Sequence, residues 1–159
     1  MPEYPIYDSL FFDVREWVDQ RTWEALGPQS ASLIDPRIVH VADQLRIDTD
    51  APLIINNWHF RKRNERLYDS SGFRAVWDRT GGQLSQHRRG FAADLKSKTH
   101  TPAQLQALIV ARANKYLELG LTTMENLQYT PTWLHCDCRV LPSAWQALAT
   151  PFLIVSPKA

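Results

Sequence analysis

The sequence predicts a chain of separate helices and short strands, on three observations. Capped helical patterns open it, short apolar or alternating runs bounded by glycine and proline follow, and another capped helix separates those runs. At 159 residues the chain suits one domain with one core. It divides into N-terminal helices over 1–50, a central core over 51–140 and a C-terminal tail over 141–159.

Asp13 with Glu16 forms the pattern of a capping box. Val14, Trp17 and Val18 make an apolar stripe, but Trp23 and Leu26 fall on its opposite side, so a break near Asp19–Arg21 and two short helices are expected. Gly27 to Ser32 reads as a loop. Asp35-Pro36 supplies an N-cap acceptor and a proline at the first helical position, with Ile38, Val39, Ala42 and Leu45 as the buried face through about Arg46. Pro52 introduces Leu53-Ile54-Ile55 as the first core strand. Asn56 to Gln83 is polar and without clear periodicity, a long connection of the kind that carries function or moves.

A strand is expected over Phe91–Lys96, placing Ala92, Asp94 and Lys96 on one face. Thr101-Pro102 with Gln104 opens a helix running to Glu118, with Gly120 at its C-terminal cap. Strands near Leu121–Leu127 and over Trp133–Val140 follow, and Phe152-Leu153-Ile154-Val155 is expected as an edge strand.

Composition excludes several classes of partner. Hydrophobic residues make up 44% and basic and acidic residues number 18 and 17, giving a net charge of +1. That leaves no strong electrostatic case for nucleic acid or an anionic membrane. Arg61-Lys62-Arg63 and Arg88-Arg89 read as solvated surface. Met1 to Leu10 contains Glu3 and Asp8 and no apolar segment, so a signal peptide is not expected, and no apolar run approaches the roughly 20 residues of a membrane helix. The chain is expected to be made in a cytoplasm and to be monomeric. Cys136 and Cys138 would lie about 7 Å apart along a strand, too far for an easy disulfide, and are expected as two small buried hydrophobes.

Chemistry concentrates in two stretches. In a strand over Trp133–Val140, Leu134, Cys136, Cys138 and Val140 face the core, which turns His135, Asp137 and Arg139 together toward a polar concavity. His87 and Asp94 flank Gly90, where a bend with positive φ or a close backbone approach is expected. Two histidines and an aspartate on one sheet make a three-ligand zinc site with a position left for water. Ser85 is placed to orient the His87 ring.

The pattern Ser85-x-His87-x-x-Gly90-x-Ala92-x-Asp94, followed by Trp133-x-His135-x-Asp137-x-Arg139, resembles the M15 family of zinc peptidases. These are the D-Ala-D-Ala carboxypeptidases and L-alanyl-D-glutamate endopeptidases of peptidoglycan, with a fold shared by the hedgehog signalling domain; the second motif looks most like the phage and prophage branch. The resemblance spans roughly Leu53 to Val140. It implies an α+β fold, a small antiparallel sheet backed by helices with zinc on its open face, and a peptidoglycan stem peptide as substrate. By the resemblance His87, Asp94 and His135 are the zinc ligands, and Arg74 in Ser71-Gly72-Phe73-Arg74 binds substrate or steadies the oxyanion. The family places an acidic general base three residues before the last ligand, or a histidine two before it. Here those positions hold Thr132 and Trp133, which leaves Glu125 and Asp137 as the carboxylates able to take the water proton. The expected protein is an endolysin-like enzyme acting at the cell wall or carried in a virion. The alternative is a zinc-binding module of the same fold that kept the ligands and lost the base.

Overall fold

Caps read in the sequence become helix ends in the structure. The computed structural model describes residues 7–146 and 149–156. The Asp13 side chain accepts from the Arg15 amide while Glu16 reaches back to the Asp13 amide, closing the capping box around a 3-10 turn, Val14–Glu16. Asp19 caps α1 (Gln20–Leu26), so the expected break and the two short helices are present. The expected loop after Gly27 is instead a 3-10 helix, Gly27–Leu33. Pro28 at its start presets a helical φ, and the tight i to i+3 bonds form without the long apolar face that a sequence pattern would display.

Helix α2 (Pro36–Thr49) starts at Asp35-Pro36 and continues past Arg46 to end on Asp50, which adopts a left-handed conformation at φ 46°. Thr49 extends it by donating its hydroxyl to the Leu45 carbonyl at 2.9 Å. Ile38, Val39, Ala42 and Leu45 are buried. The helix expected from Thr101 to Glu118 is two: α3 (Pro102–Ala111), with its Thr101–Gln104 capping box, and α4 (Ala113–Glu118). The break falls at Arg112, which leaves the helical conformation at φ −120°, ψ 35°. Arg112 pairs with Asp48 of α2, whose other oxygen accepts from the Tyr116 hydroxyl at 2.7 Å. Asp48 thus holds one side chain from the break and one from α4.

Strands β1 (Leu53–Ile54), β2 (Ala92–Ser97), β3 (Thr123–Glu125), β4 (Leu134–Asp137) and β5 (Leu153–Val155) form one sheet in the order β1-β2-β4-β3-β5. The fold is α+β. Three strand pairs are antiparallel, but β5 lies parallel to β3, so the sheet is mixed rather than wholly antiparallel. The tail passes over β3 to reach the edge, and a strand running opposite to β4 then points the same way as β3. Its edge position is as expected.

β3 and β4 are shorter than their apolar runs. Leu134, Cys136 and Cys138 are buried as expected and both cysteines are free, but Val140 is 79% exposed because pairing stops at Asp137. The core gathers Trp17, Ile38, Leu45, Leu95, Ile109 and Met124 between the sheet and the helices, each such side chain contributing about 1.5–3 kcal/mol on burial.

Residues 56–83 form neither helix nor strand, yet they are tied down at both ends. Asn56 donates to the Val18 carbonyl and accepts from the Ser71 amide; Asn57 accepts from the Tyr68 amide and donates to the Arg66 carbonyl. Among the described residues no helix is long and apolar enough to cross a membrane.

Candidate metal centre

The register of the sheet assembles the site. Asp94 on β2 stands directly opposite His135 on β4. On the other flank of β4, Thr123 faces Asp137 and Met124 faces Cys136, and one step further along that register Glu125 faces His135. Directly opposed residues project to the same face, so Asp94, His135 and Glu125 form a row across three strands. His87 comes to this row from a 3-10 turn, Gln86–Arg89, closed by Gly90 at φ 73°. A Cβ at Gly90 would lie 1.9 Å from the Leu33 carbonyl oxygen. Both the positive φ and the close approach therefore require glycine there.

Three atoms converge. His87 Nε2 lies 3.2 Å from His135 Nδ1 and 3.3 Å from Asp94 Oδ1, and His135 Nδ1 lies 2.9 Å from the same Oδ1. A tetrahedral ion with bonds of about 2.0–2.1 Å holds its ligand atoms about 3.3 Å apart, and this triangle matches that spacing. The outer atoms of each ring fix which nitrogen points inward. His87 Nδ1–H donates to the Gly72 carbonyl at 2.7 Å, and His135 Nε2–H donates to Asp137 Oδ2 at 3.0 Å. Each ring so anchored turns its remaining nitrogen lone pair toward the carboxylate oxygen, the arrangement second contacts impose on ligating histidines. The buried trio His87, Asp94 and His135 could hold a metal ion.

The surrounding charges are matched to such an ion. Arg74 donates to Asp94 Oδ2 at 3.0 Å and to the Ser70 carbonyl at 2.6 Å. Arg139 grips Asp137 through Nε at 2.7 Å and through its Nη2. Burial works against ionising Asp94, yet His87 and His135 beside it hold it well below the usual carboxylate range. Burial likewise opposes a charge on His135, but Asp137 and Asp94 overcome it and push its pKa up to about 10. In the protonated ring Nδ1–H would donate to Asp94 Oδ1 at 2.9 Å, and the lone pair that an ion needs is set free when that proton leaves. Burial dominates at His87 and lowers its pKa.

The trio lies at the floor of a cavity of about 600 Å³, whose walls include Arg74, Glu125, Tyr129, Trp133 and Arg139. Glu125 is half-buried and, among the described residues, its carboxylate has no hydrogen bond or ion pair. Asp137 does not line the cavity as its strand face led one to expect. It is 0% exposed beneath His135, with both oxygens engaged.

Two further contacts differ from the sequence reading or were invisible to it. The group that orients His87 is the Gly72 carbonyl rather than Ser85. A backbone carbonyl leaves no side-chain signature; the trace in the sequence is the glycine, where a Cβ would lie 2.3 Å from the Trp17 carbonyl oxygen. Lys96, on the same face as Asp94, donates its ammonium to the carbonyls of Ile55 and Asp94 and to Ser71 Oγ. It pins the segment that carries Gly72 and Arg74. Comparison with protein families, with curated proteins and with solved structures finds no match to this chain.

Proposed function

We propose that the protein is a zinc-dependent peptidase that hydrolyses peptidoglycan stem peptides, acting at the bacterial cell wall. The observation that carries this reading is the triangle of His87, Asp94 and His135 acceptor atoms at the floor of an open cavity, with an unengaged carboxylate, Glu125, in the same row of the sheet. Two nitrogens and one carboxylate oxygen are a donor set suited to zinc, and three protein ligands leave a coordination position open for chemistry.

Zinc held by His87, Asp94 and His135 would supply Lewis acidity toward a peptide carbonyl and lower the pKa of water toward neutrality. Glu125 takes the proton from the attacking water and passes it to the amine as the C–N bond breaks. Asp137, sealed under His135, fixes the tautomer and tilt of that ring rather than moving a proton. Arg74 keeps one oxygen of Asp94 turned inward, and its guanidinium, at the cavity wall, would steady the developing oxyanion.

The test uses purified protein loaded with one equivalent of zinc and mixed with isolated sacculi. Release of stem-peptide fragments that a chelator abolishes and added zinc restores is the expected result. Zinc bound at one ion per chain with no fragment released would instead establish a zinc-binding wall or virion module.

A further inference from the structure

A second cavity, of about 200 Å³, adjoins the first at Asp94. Arg74, Thr80, Asp94 and Trp133 line both cavities, so the ligand Asp94 stands at their junction. We propose, resting on the peptidase reading above, that this second cavity is a subsite for a peptide residue carrying a free carboxylate, held by Arg66. The peptide then crosses the metal centre and is cut at an internal bond.

Charge sorts the two sides. In the main cavity both arginines are committed, Arg74 to Asp94 and Arg139 to Asp137, and the unengaged group is the carboxylate of Glu125. Among the described residues, an anionic group placed there meets repulsion and no unpaired arginine. The second cavity differs in holding, beside the carboxylate of Asp69, an arginine without an ion pair. Arg66 is exposed, makes no ion pair among the described residues, and holds its guanidinium 5.6 Å from the centroid of the Tyr68 ring. Asp69 on the same wall accepts from the Ser70 hydroxyl at 3.3 Å and forms no ion pair with Arg66. A guanidinium braced on an aromatic face keeps its donor edge free for a carboxylate. Thr132 adds a hydroxyl, and the ammonium of Lys96 lies close by, bonded to Ser71 at 2.6 Å. A carboxypeptidase needs a free cation beside the metal to hold a chain end. Here the arginines at the metal are paired and the free one lies across the junction.

The test is binding, with cleavage as a separate readout. Zinc-loaded Glu125→Gln protein is titrated calorimetrically with the stem tetrapeptide L-Ala-γ-D-Glu-L-Lys-D-Ala, with its glutamyl α-carboxylate either free or amidated. The free acid is expected to bind about tenfold more tightly, the size of one charge-assisted hydrogen bond. Arg66→Ala should erase that difference with zinc content unchanged, and amidating the C-terminal carboxylate should leave affinity as it was. Equal binding of acid and amide, an equal loss for both in Arg66→Ala, no binding of either, or a tenfold loss on amidating the chain end each overturns the subsite. If the acid binds as expected and the zinc-loaded wild type leaves it uncut, the subsite stands and the peptidase reading falls.

Discussion

Arg74 donates to Oδ2 of Asp94 at 3.0 Å and so leaves Oδ1 as the oxygen turned toward His87 and His135. The Arg74 side chain is itself nearly enclosed and anchored on the Ser70 carbonyl. Removing this contact by Arg74→Ala frees the carboxylate to rotate and leaves its outer oxygen unpaired. Zinc affinity, measured by competition with a chelating dye, is expected to fall about 10–100-fold. Arg74→Lys should recover little of it, because an ammonium cannot reach both acceptors as a planar guanidinium does.

The two carboxylates beside His135 should fail differently. Glu125→Gln is expected to keep one zinc per chain and lose on the order of 10²–10⁴ in cleavage rate, the usual cost of a missing general base. Asp137→Asn should lose zinc as well, about 10–100-fold in affinity, since it alters the group that holds His135 Nε2–H. The same zinc content in both variants, or full activity in Glu125→Gln, contradicts the assignment.

The cysteines offer a check on register. Cys136 and Cys138 point into the core with their thiol pKa raised by burial, Cys138 to about 12. Replacing both with alanine should cost about 1–2 kcal/mol of stability and leave zinc stoichiometry at one. Loss of zinc in the double variant would place the sulfurs on the site face.

A pH effect is expected away from the metal. Burial raises the Glu16 pKa from 4.5 to about 7. The folded protein therefore binds this proton more tightly than the unfolded chain. Its contribution to stability is full below about pH 4.5 and is lost as pH rises through about 7. Glu16→Gln keeps the acceptor of the capping box but removes the titration. Melting curves of the two proteins should coincide near pH 4.5, and the variant should melt higher at pH 8. A constant difference across that range would refute the shift.

Much of this was legible because local chemistry fixes it. Asp13, Asp35 and Thr101 announce helix starts through their own side chains, and the alternation of Leu134, His135 and Cys136 sets which way the histidine turns. The break at Arg112 was not legible, since the apolar period runs on through it and its partner Asp48 lies far away in the chain. Nor was the burial of Asp137, because strand alternation assigns a face and says nothing of what covers it. The choice between Glu125 and Asp137 became arguable once the sheet put Glu125 on the wall of the cavity that His135 floors and sealed Asp137 away from it. Pairing partners are the part of a sheet that a single sequence leaves unstated.

The contacts at Gly72 and Gly90 bear on how the protein could be taken apart. The metal-side turn presses its Gly90 backbone on Leu33 and takes the Asp35 amide on its carbonyl, while the Phe73 amide rests on the Trp17 carbonyl. The ligand loop is cast against the first helices as against a mould. Residues 51–140 hold every proposed ligand, yet they are no portable cassette: a fragment beginning at Ala51, or a graft of its strands onto another scaffold, carries the donors without the surface that shapes them.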